Sequence, residues 1–332
     1  MRSALLAAAL FLALTAPAAA EVTVAVLDSG VDGDHAELAG RVEHRSFLVG
    51  TPLPLPPLAT APLADDPDGQ GTGVASLVAG STLGVDGDAR ILDLQVALPQ
   101  TGTDLDPGSE SAAIDAMDLL LREHGGPDSP GTRVALLSFA SAGLSDQGAA
   151  TLAAQAESLF SEGVAVVVPA APSPSALHQS PFVLVVGETE EPCPAPSEAN
   201  GPPKPDLVAP GEGLTVATPG IGPLPGGTGT ASGAPYAAAQ VAGAAALMLE
   251  ARPDLPLAPL YDLLRDSATD FGDPGFDACT GFGELDVEAA VEGARAWSDP
   301  LGDAPDRGSP GLGLLATLGS IALGLLAGRR SK

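Results

Sequence analysis

The sequence predicts an α/β domain: a three-layer sandwich with a mostly parallel sheet, helices on both faces and one helix buried at its centre. Three observations carry that prediction. Strand-like apolar runs alternate with helical stretches along most of the chain. The strands are continuous apolar runs, the pattern of a sheet covered on both faces. Finally, almost every residue from Ala234 to Leu249 is apolar or small, so a helix there is hydrophobic on most sides and belongs in a core. Pro235 and the glycines at 229, 233 and 243 argue against reading it as a simple membrane span. The Gly-Thr-rich lead into this helix suggests close backbone approach at a buried helix N-terminus.

The elements follow in order. Val22–Gly30 reads as an apolar strand ending in a polar turn, and Arg41–Gly50 as a second strand. Thr51–Asp68 is Pro-rich, then acidic, and reads as a long loop. Gly71–Gly80 is a short apolar helix and Arg90–Leu98 a strand. Ser109–His124 shows helical spacing at Ile114, Met117, Leu120 and Leu121. Arg133–Ala140 is a strand, Ser145–Gly163 a helix, and Val164–Val168 and Pro181–Glu188 are buried strands. Asp206–Gly211 and Leu214–Gly220 are short strands. After the central helix, Leu257–Ala268 and Val287–Ala296 are helical. In such sheets ligands sit beyond the carboxyl ends of the strands, where Asp28 ends the first one.

Composition restricts the partners. The formal net charge of −28 disfavours nucleic acid and anionic membrane surfaces. Residues 1–20 carry one early Arg, an apolar run and small residues at Ala18 and Ala20, the pattern of a secretory signal peptide. In an exported chain the two cysteines, Cys193 and Cys279, both in Pro- or Gly-flanked sequence, are expected to form one disulfide. Residues 299–310 read as a linker. Residues 311–328 are uncharged and long enough to cross a bilayer, and the basic residues of 329–332 place the C-terminus inside. This end resembles the C-terminal sorting tails of bacterial surface proteins. The chain is therefore expected to be an exported domain, 21–298, anchored to the membrane of the cell envelope by its C-terminal segment.

Three stretches point to chemistry. "VAVLDSGVDGDHAEL" resembles the aspartate segment of the subtilisin-like serine proteases, "DGQGTGVASLVAG" their histidine segment, and "GTASGAPYAAAQVAGAAALML" their serine segment. "VALLSFA", "GVAVVVPAAPS", "KPDLVAPG" and "GFGELDVEAAV" resemble supporting stretches of the same family. The resemblance runs from about Glu21 to Trp297, in the family's order of Asp, then His, then Ser. It implies a subtilisin-like sandwich and serine-type proteolysis.

The triad positions depart from that pattern. Asp28 matches the orienting aspartate. The His-Gly-Thr motif reads Gln70-Gly71-Thr72, and an amide is no base near neutral pH. Gly229-Thr230 and Pro235 both place Ala231 at the serine position. A methyl group is no nucleophile. Ser232 is the alternative nucleophile; it requires a one-residue shift and, on a helix start, points ~100° away. Read blandly, Ser232 is a helix-capping or solvated hydroxyl.

At the position of the family's oxyanion Asn stands Pro172, which has neither a side-chain donor nor an N–H. Ser138, Phe139 and Ala140 match the strand that lines the family's substrate cleft. His35 resembles a structural histidine of the family, and His44, His124 and His178 lie elsewhere. The expected outcome is a pseudopeptidase that binds a peptide or protein ligand in its cleft; the competing expectation is an active endopeptidase with a displaced nucleophile or base. No cofactor is expected. Calcium at Asp65, Asp66 and Asp68 is the one metal reading, weighed against a solvated acidic loop.

Overall fold

The computed structural model describes residues 21–47, 66–96, 107–124, 131–139, 144–171, 175–189, 205–220, 225–270 and 274–299. The predicted signal peptide, the Pro-rich loop through Asp65 and the apolar tail lie outside them, as do residues 300–310 of the linker. The fold belongs to the unit ending at Ala296; Trp297 begins a second unit, described only through Asp299.

The strands are β1 (Thr23–Asp28), β2 (Val42–Ser46), β3 (Arg90–Gln95), β4 (Thr132–Leu137), β5 (Ala165–Pro169), β6 (Val183–Glu188), β7 (Leu207–Ala209), β8 (Leu214–Thr218) and β9 (Gly227–Ala231). The helices are α1 (Gln70–Ala79), α2 (Pro107–His124), α3 (Asp146–Ser161), α4 (Ala234–Ala251), α5 (Leu257–Asp266) and α6 (Val287–Ala296). Seven strands form one sheet in the order β2-β3-β1-β4-β5-β6-β7, with every pairing parallel. Side chains alternate across it. Ala25, Leu27, Leu92 and Leu94 pack with Ala112, Met117 and Leu120 of α2 and with Leu152 and Leu159 of α3. The other face is covered by α1 and α4. The predicted α/β class and its two covered faces are what the structure has.

The all-apolar stretch does become the buried helix. Along α4 the residues Ala237, Ala238, Ala239, Val241, Ala242 and Ala244 are fully enclosed. It packs on β4, β5 and β6 and against α1 and α6. Alanine is the fitting residue because helix and sheet approach closely; larger side chains would overpack the contact at a cost of about 1–3 kcal/mol.

Two local readings change. β9 was not foreseen: Gly-Thr-Gly-Thr-Ala is a weak strand sequence, and it is extended because it pairs antiparallel with β8. α4 therefore begins at Ala234 with Gly233 as its N-cap, and Ala231 and Ser232 precede the helix.

Tyr261 of α5 shows how the outer helices are fixed. Its hydroxyl accepts from Val166 N at 2.9 Å and lies 3.2 Å from the carbonyls of Val166 and Phe182. Its ring meets Phe160 edge-on, with centroids 5.4 Å apart. Tyr261→Phe leaves a buried N–H unpaired and is expected to cost about 1–3 kcal/mol. Thermal melts should show a midpoint several degrees lower; an unchanged midpoint would refute this account of the helix.

Candidate functional site

The chain reverses its direction of sheet growth at β1, which lies between β3 and β4. A crevice beyond the carboxyl ends at such a switch point is where open parallel sheets hold ligands. Asp28 ends β1 there and is 1% exposed. Ser29 N donates to its Oδ1 at 2.6 Å. Ser138 Oγ makes a very short bond to Oδ2. Gln70 Nε2 lies 3.3 Å from both carboxyl oxygens.

Burial pushes the Asp28 carboxyl up to about 7, against the pull of the donors on Ser138 and Ser29 and with added repulsion from Asp66. Ser138 Oγ also lies 3.0 Å from Leu27 O, so its single proton faces two acceptors. When Asp28 is ionised, Ser138 donates to it. When Asp28 is protonated, its hydroxyl donates to Ser138 Oγ, which then donates to Leu27 O. In both states Oδ1 remains an acceptor for Gln70 Nε2.

Gln70 is the first residue of α1, and that end is fixed by two carboxylates. Asp66 accepts from Gly69 N at 3.0 Å, Thr72 N at 2.7 Å and Ser29 Oγ at 3.0 Å. Asp68 accepts from Gln70 N at 3.0 Å and lies 2.7 Å from Ser29 Oγ, whose single proton is shared between the two carboxylates. They satisfy the amides of Gly69, Gln70 and Thr72 and suit the positive end of the helix, while Gly71 N faces Ser29 Oγ. This corrects the solvated-loop reading for Asp66, which is 8% exposed and serves the helix start, while Asp68 is exposed. Its burial, first of all, raises its carboxyl above the usual range. The calcium reading gains no donors here, since among the described residues no group of three or more acidic, His or Cys side chains is arranged to hold a metal; Asp65 lies outside those residues. Gly71 allows the close approach, because a Cβ on it would come 2.0 Å from Gly30 O in the Asp28 turn.

Ala231 closes β9, paired with Leu214. Ser232 is neither on the helix nor its cap: its Oγ accepts from Gly213 N at 3.0 Å, tying the turn before β8 to the turn after β9. The side chains of Ser138 and Phe139 both turn inward. Ser138 is fully buried beneath Asp28, and Phe139, 6% exposed, joins the core against α2 and α3. Their side chains support the site from within. Ala140, Pro172 and Cys193 lie outside the described residues. Cys279 is disulfide-bonded.

The described histidines are engaged elsewhere. His35 Nε2 bonds Gly227 O at 2.9 Å while its Nδ1 accepts from Glu37 N at 3.1 Å, which pins β9 to the loop after β1. His178 bonds Ser175 Oγ at 3.1 Å and Pro169 O at 3.2 Å. The hydroxyls beside Asp28 belong to Ser29 and Ser138, and among the described residues no imidazole reaches either. The side chain of His124 lies outside the described residues.

Sequence reading also missed a second acid on this face. Asp93 of β3 is completely buried, with Oδ2 bonded to His44 Nδ1 and to Val31 N at 3.0 Å. Burial pushes it up to about 6, with His44 pulling it down. It links edge strand β2 to the turn that follows Asp28. A lone Asp in an apolar strand was the available signal, whereas Asp66 was announced by Asp-Pro-Asp-Gly just ahead of a helix.

The geometry thus joins Asp28, Gln70 and Ser138 in one hydrogen-bonded group, capped by Asp66 and Asp68. A carboxamide in this place can orient and donate but carries no basic nitrogen.

Comparison with known proteins agrees with the fold. Residues 19–283 match the family model described as the subtilase family, Peptidase_S8. Subtilisin amylosacchariticus of Bacillus subtilis subsp. amylosacchariticus is 29% identical over 289 residues, covering 82% of this chain and 66% of that protein. Subtilisin-like serine protease Pen ch 13 of Penicillium rubens is 30% identical over 225 residues, covering 67% of this chain and 51% of that protein. The chain thus spans under two thirds of the length of these relatives. Among solved structures, a lanthipeptide protease matches with TM-score 0.60 at 21% identity, covering 82% of this chain and 87% of that one. Fervidolysin from Fervidobacterium pennivorans, a keratinolytic enzyme related to subtilisin, matches with TM-score 0.61 at 23% identity, over 83% of this chain and 43% of that one. With the family model spanning most of the chain and the Asp28 site at the expected strand end, this protein belongs to the subtilase family.

Proposed function

We propose that this subtilase domain binds extended polypeptide in its cleft and does not hydrolyse it. The observation that carries the reading is the pair of hydrogen bonds from Gln70 Nε2 to Asp28. The aspartate that would orient a catalytic base instead orients a carboxamide. Proton abstraction needs a base and acyl attack needs a hydroxyl or thiol; Gln70 and Ala231 supply neither. Pro172 at the oxyanion position agrees with this, as it brings no side-chain donor. Main-chain pairing of an extended peptide needs none of these groups; β4 is itself paired on both sides, by β1 and β5, so the stretch proposed for that pairing is the chain that follows it, from Ser138.

The same reading places the domain outside the cytoplasm. Its supports are the signal-peptide pattern of residues 1–20 and the apolar run of 311–328 followed by Arg329, Arg330 and Lys332. Among the described residues no helix is long and apolar enough to cross a membrane; residues 311–328 are not among them.

The test is a binding screen on the full chain with extended decapeptides, followed by mass spectrometry of the recovered peptides. Saturable binding with every peptide recovered intact is expected. Recovery of cleaved fragments, or no binding across the set, would overturn the reading.

A further inference from the structure

In a domain that binds peptide as proposed above, we infer that Gln70 Oε1 receives a main-chain N–H of the intact ligand, with Tyr236 Oη as the adjoining polar contact. This deepens that reading and rests on it.

The orientation of Gln70 is fixed from below. Its Nε2 faces both oxygens of Asp28, and reversal of the Ser138 hydroxyl preserves that arrangement whether Asp28 is ionised or protonated. A planar carboxamide with its nitrogen turned to Asp28 must turn its oxygen away. Among the described residues, neither Gln70 Oε1 nor Tyr236 Oη has a hydrogen-bond partner, and neither is sealed from solvent.

Tyr236 reaches the turn of α1 that begins at Gln70. Tyr236 lies in the first turn of α4 and packs across Gly73, where a Cβ would come 3.1 Å from its Cε1. Gly73 follows Gln70 by three residues and so lies on the same face of α1. Asp28, Asp66 and Asp68 all act on the Tyr236 hydroxyl, which burial already holds neutral.

The chemistry selects a donor. Gln70 Oε1 is an acceptor only. The three surrounding carboxyls disfavour anions and acceptor-rich ligands. A peptide offers a neutral N–H at nearly every residue, with a carbonyl next to it that can accept from Tyr236 Oη. The contact that holds the backbone therefore occupies the place where an active family member would handle a proton.

Backbone-ester substitution tests this on the full chain. The probe is the tightest-binding decapeptide of the screen, with each main-chain amide replaced in turn by an ester, which removes the N–H. Esters at the strand-pairing positions should weaken binding in every variant, and one further position, the one facing Gln70, is expected to weaken binding to the unaltered chain about three- to tenfold. Gln70→Ala should weaken the all-amide peptide by a similar factor and erase the penalty at that position. Tyr236→Phe should weaken binding while leaving the ester penalty in place. Thermal melts check that both variants fold. If Gln70→Ala binds every version as the unaltered chain does, or keeps the ester penalty, the inference falls while the peptide reading stands. If no decapeptide binds the unaltered chain, both fall.

Discussion

Gln70→His combined with Ala231→Ser is expected to give peptide hydrolysis, while the unaltered chain and either single variant remain at background. The scaffold already presents Asp28 at the end of β1 with its orienting hydrogen bonds, and α1 already directs residue 70 onto it. A histidine there would find its carboxylate partner, and a serine at 231 would complete the set. The all-or-none form of the result comes from the way triad members act as a unit. In subtilisin, a relative and the standard example of this arithmetic, loss of the serine or histidine alone costs about 10⁶-fold in turnover, nearly as much as loss of all three. Restoring one member thus restores nothing measurable. The double variant still carries Pro172, and adding Pro172→Asn should raise its rate by about 10²–10³-fold, the worth of one oxyanion donor in that same example. A fluorogenic peptide assay with folding checked by circular dichroism decides it. Hydrolysis by a single variant equal to that of the double would contradict the account.

The second large effect is on stability. Burial raises Asp28 from 3.8 to about 7 and Asp93 from 3.8 to about 6. Both carboxyls hold protons more tightly folded than unfolded. Stability from them is therefore fully present below about pH 4 and declines as pH rises through 6 and 7. Asp66, Asp86 and Glu250 are raised too and act in the same direction. Glu37, which receives bonds from Ser81, Thr82 and Leu83, is lowered, and its contribution is lost only at more acid pH. For Asp28 alone the span corresponds to an effect on the order of 4 kcal/mol, or on the order of 10 °C in the unfolding midpoint. Asp28→Asn copies the protonated form: its amide donates to Ser138 Oγ and its oxygen still accepts from Ser29 N. Melts from pH 4.5 to 8 should show a falling midpoint in the unaltered chain and a much flatter one in Asp28→Asn, with the variant the more stable at pH 8. A midpoint that rises across this range, or a variant less stable at pH 8, would contradict the assignment. Gln70→His supplies a counter-charge and should return Asp28 toward the ordinary carboxylate range.

The central parts of this arrangement were legible because they are local. The run from Ala234 to Leu249 can only be buried, and an aspartate at the end of an apolar strand lies at the working edge of a parallel sheet. Gln70 was locatable through Gly71-Thr72, and Gly71 is required where the helix meets the Asp28 turn. What was not legible depends on partners distant in sequence. β9 is a strand only because β8 lies beside it, and this moved Ala231 and Ser232 off the helix. Ser232 finds Gly213, and Ser138 turns inward to Asp28 across 110 positions. The pairing of His44 with Asp93 requires the β2–β3 register, which a short polar strand does not announce.

The claim that the Asp28 site holds no nucleophile meets its most direct test in covalent labelling. The full chain is incubated with a fluorophosphonate probe, and peptide mass spectrometry locates any adduct. The account predicts no serine adduct in the unaltered chain and an adduct at residue 231 in the Gln70→His, Ala231→Ser variant. An adduct on Ser232 of the unaltered chain, lost in Ser232→Ala, would contradict it.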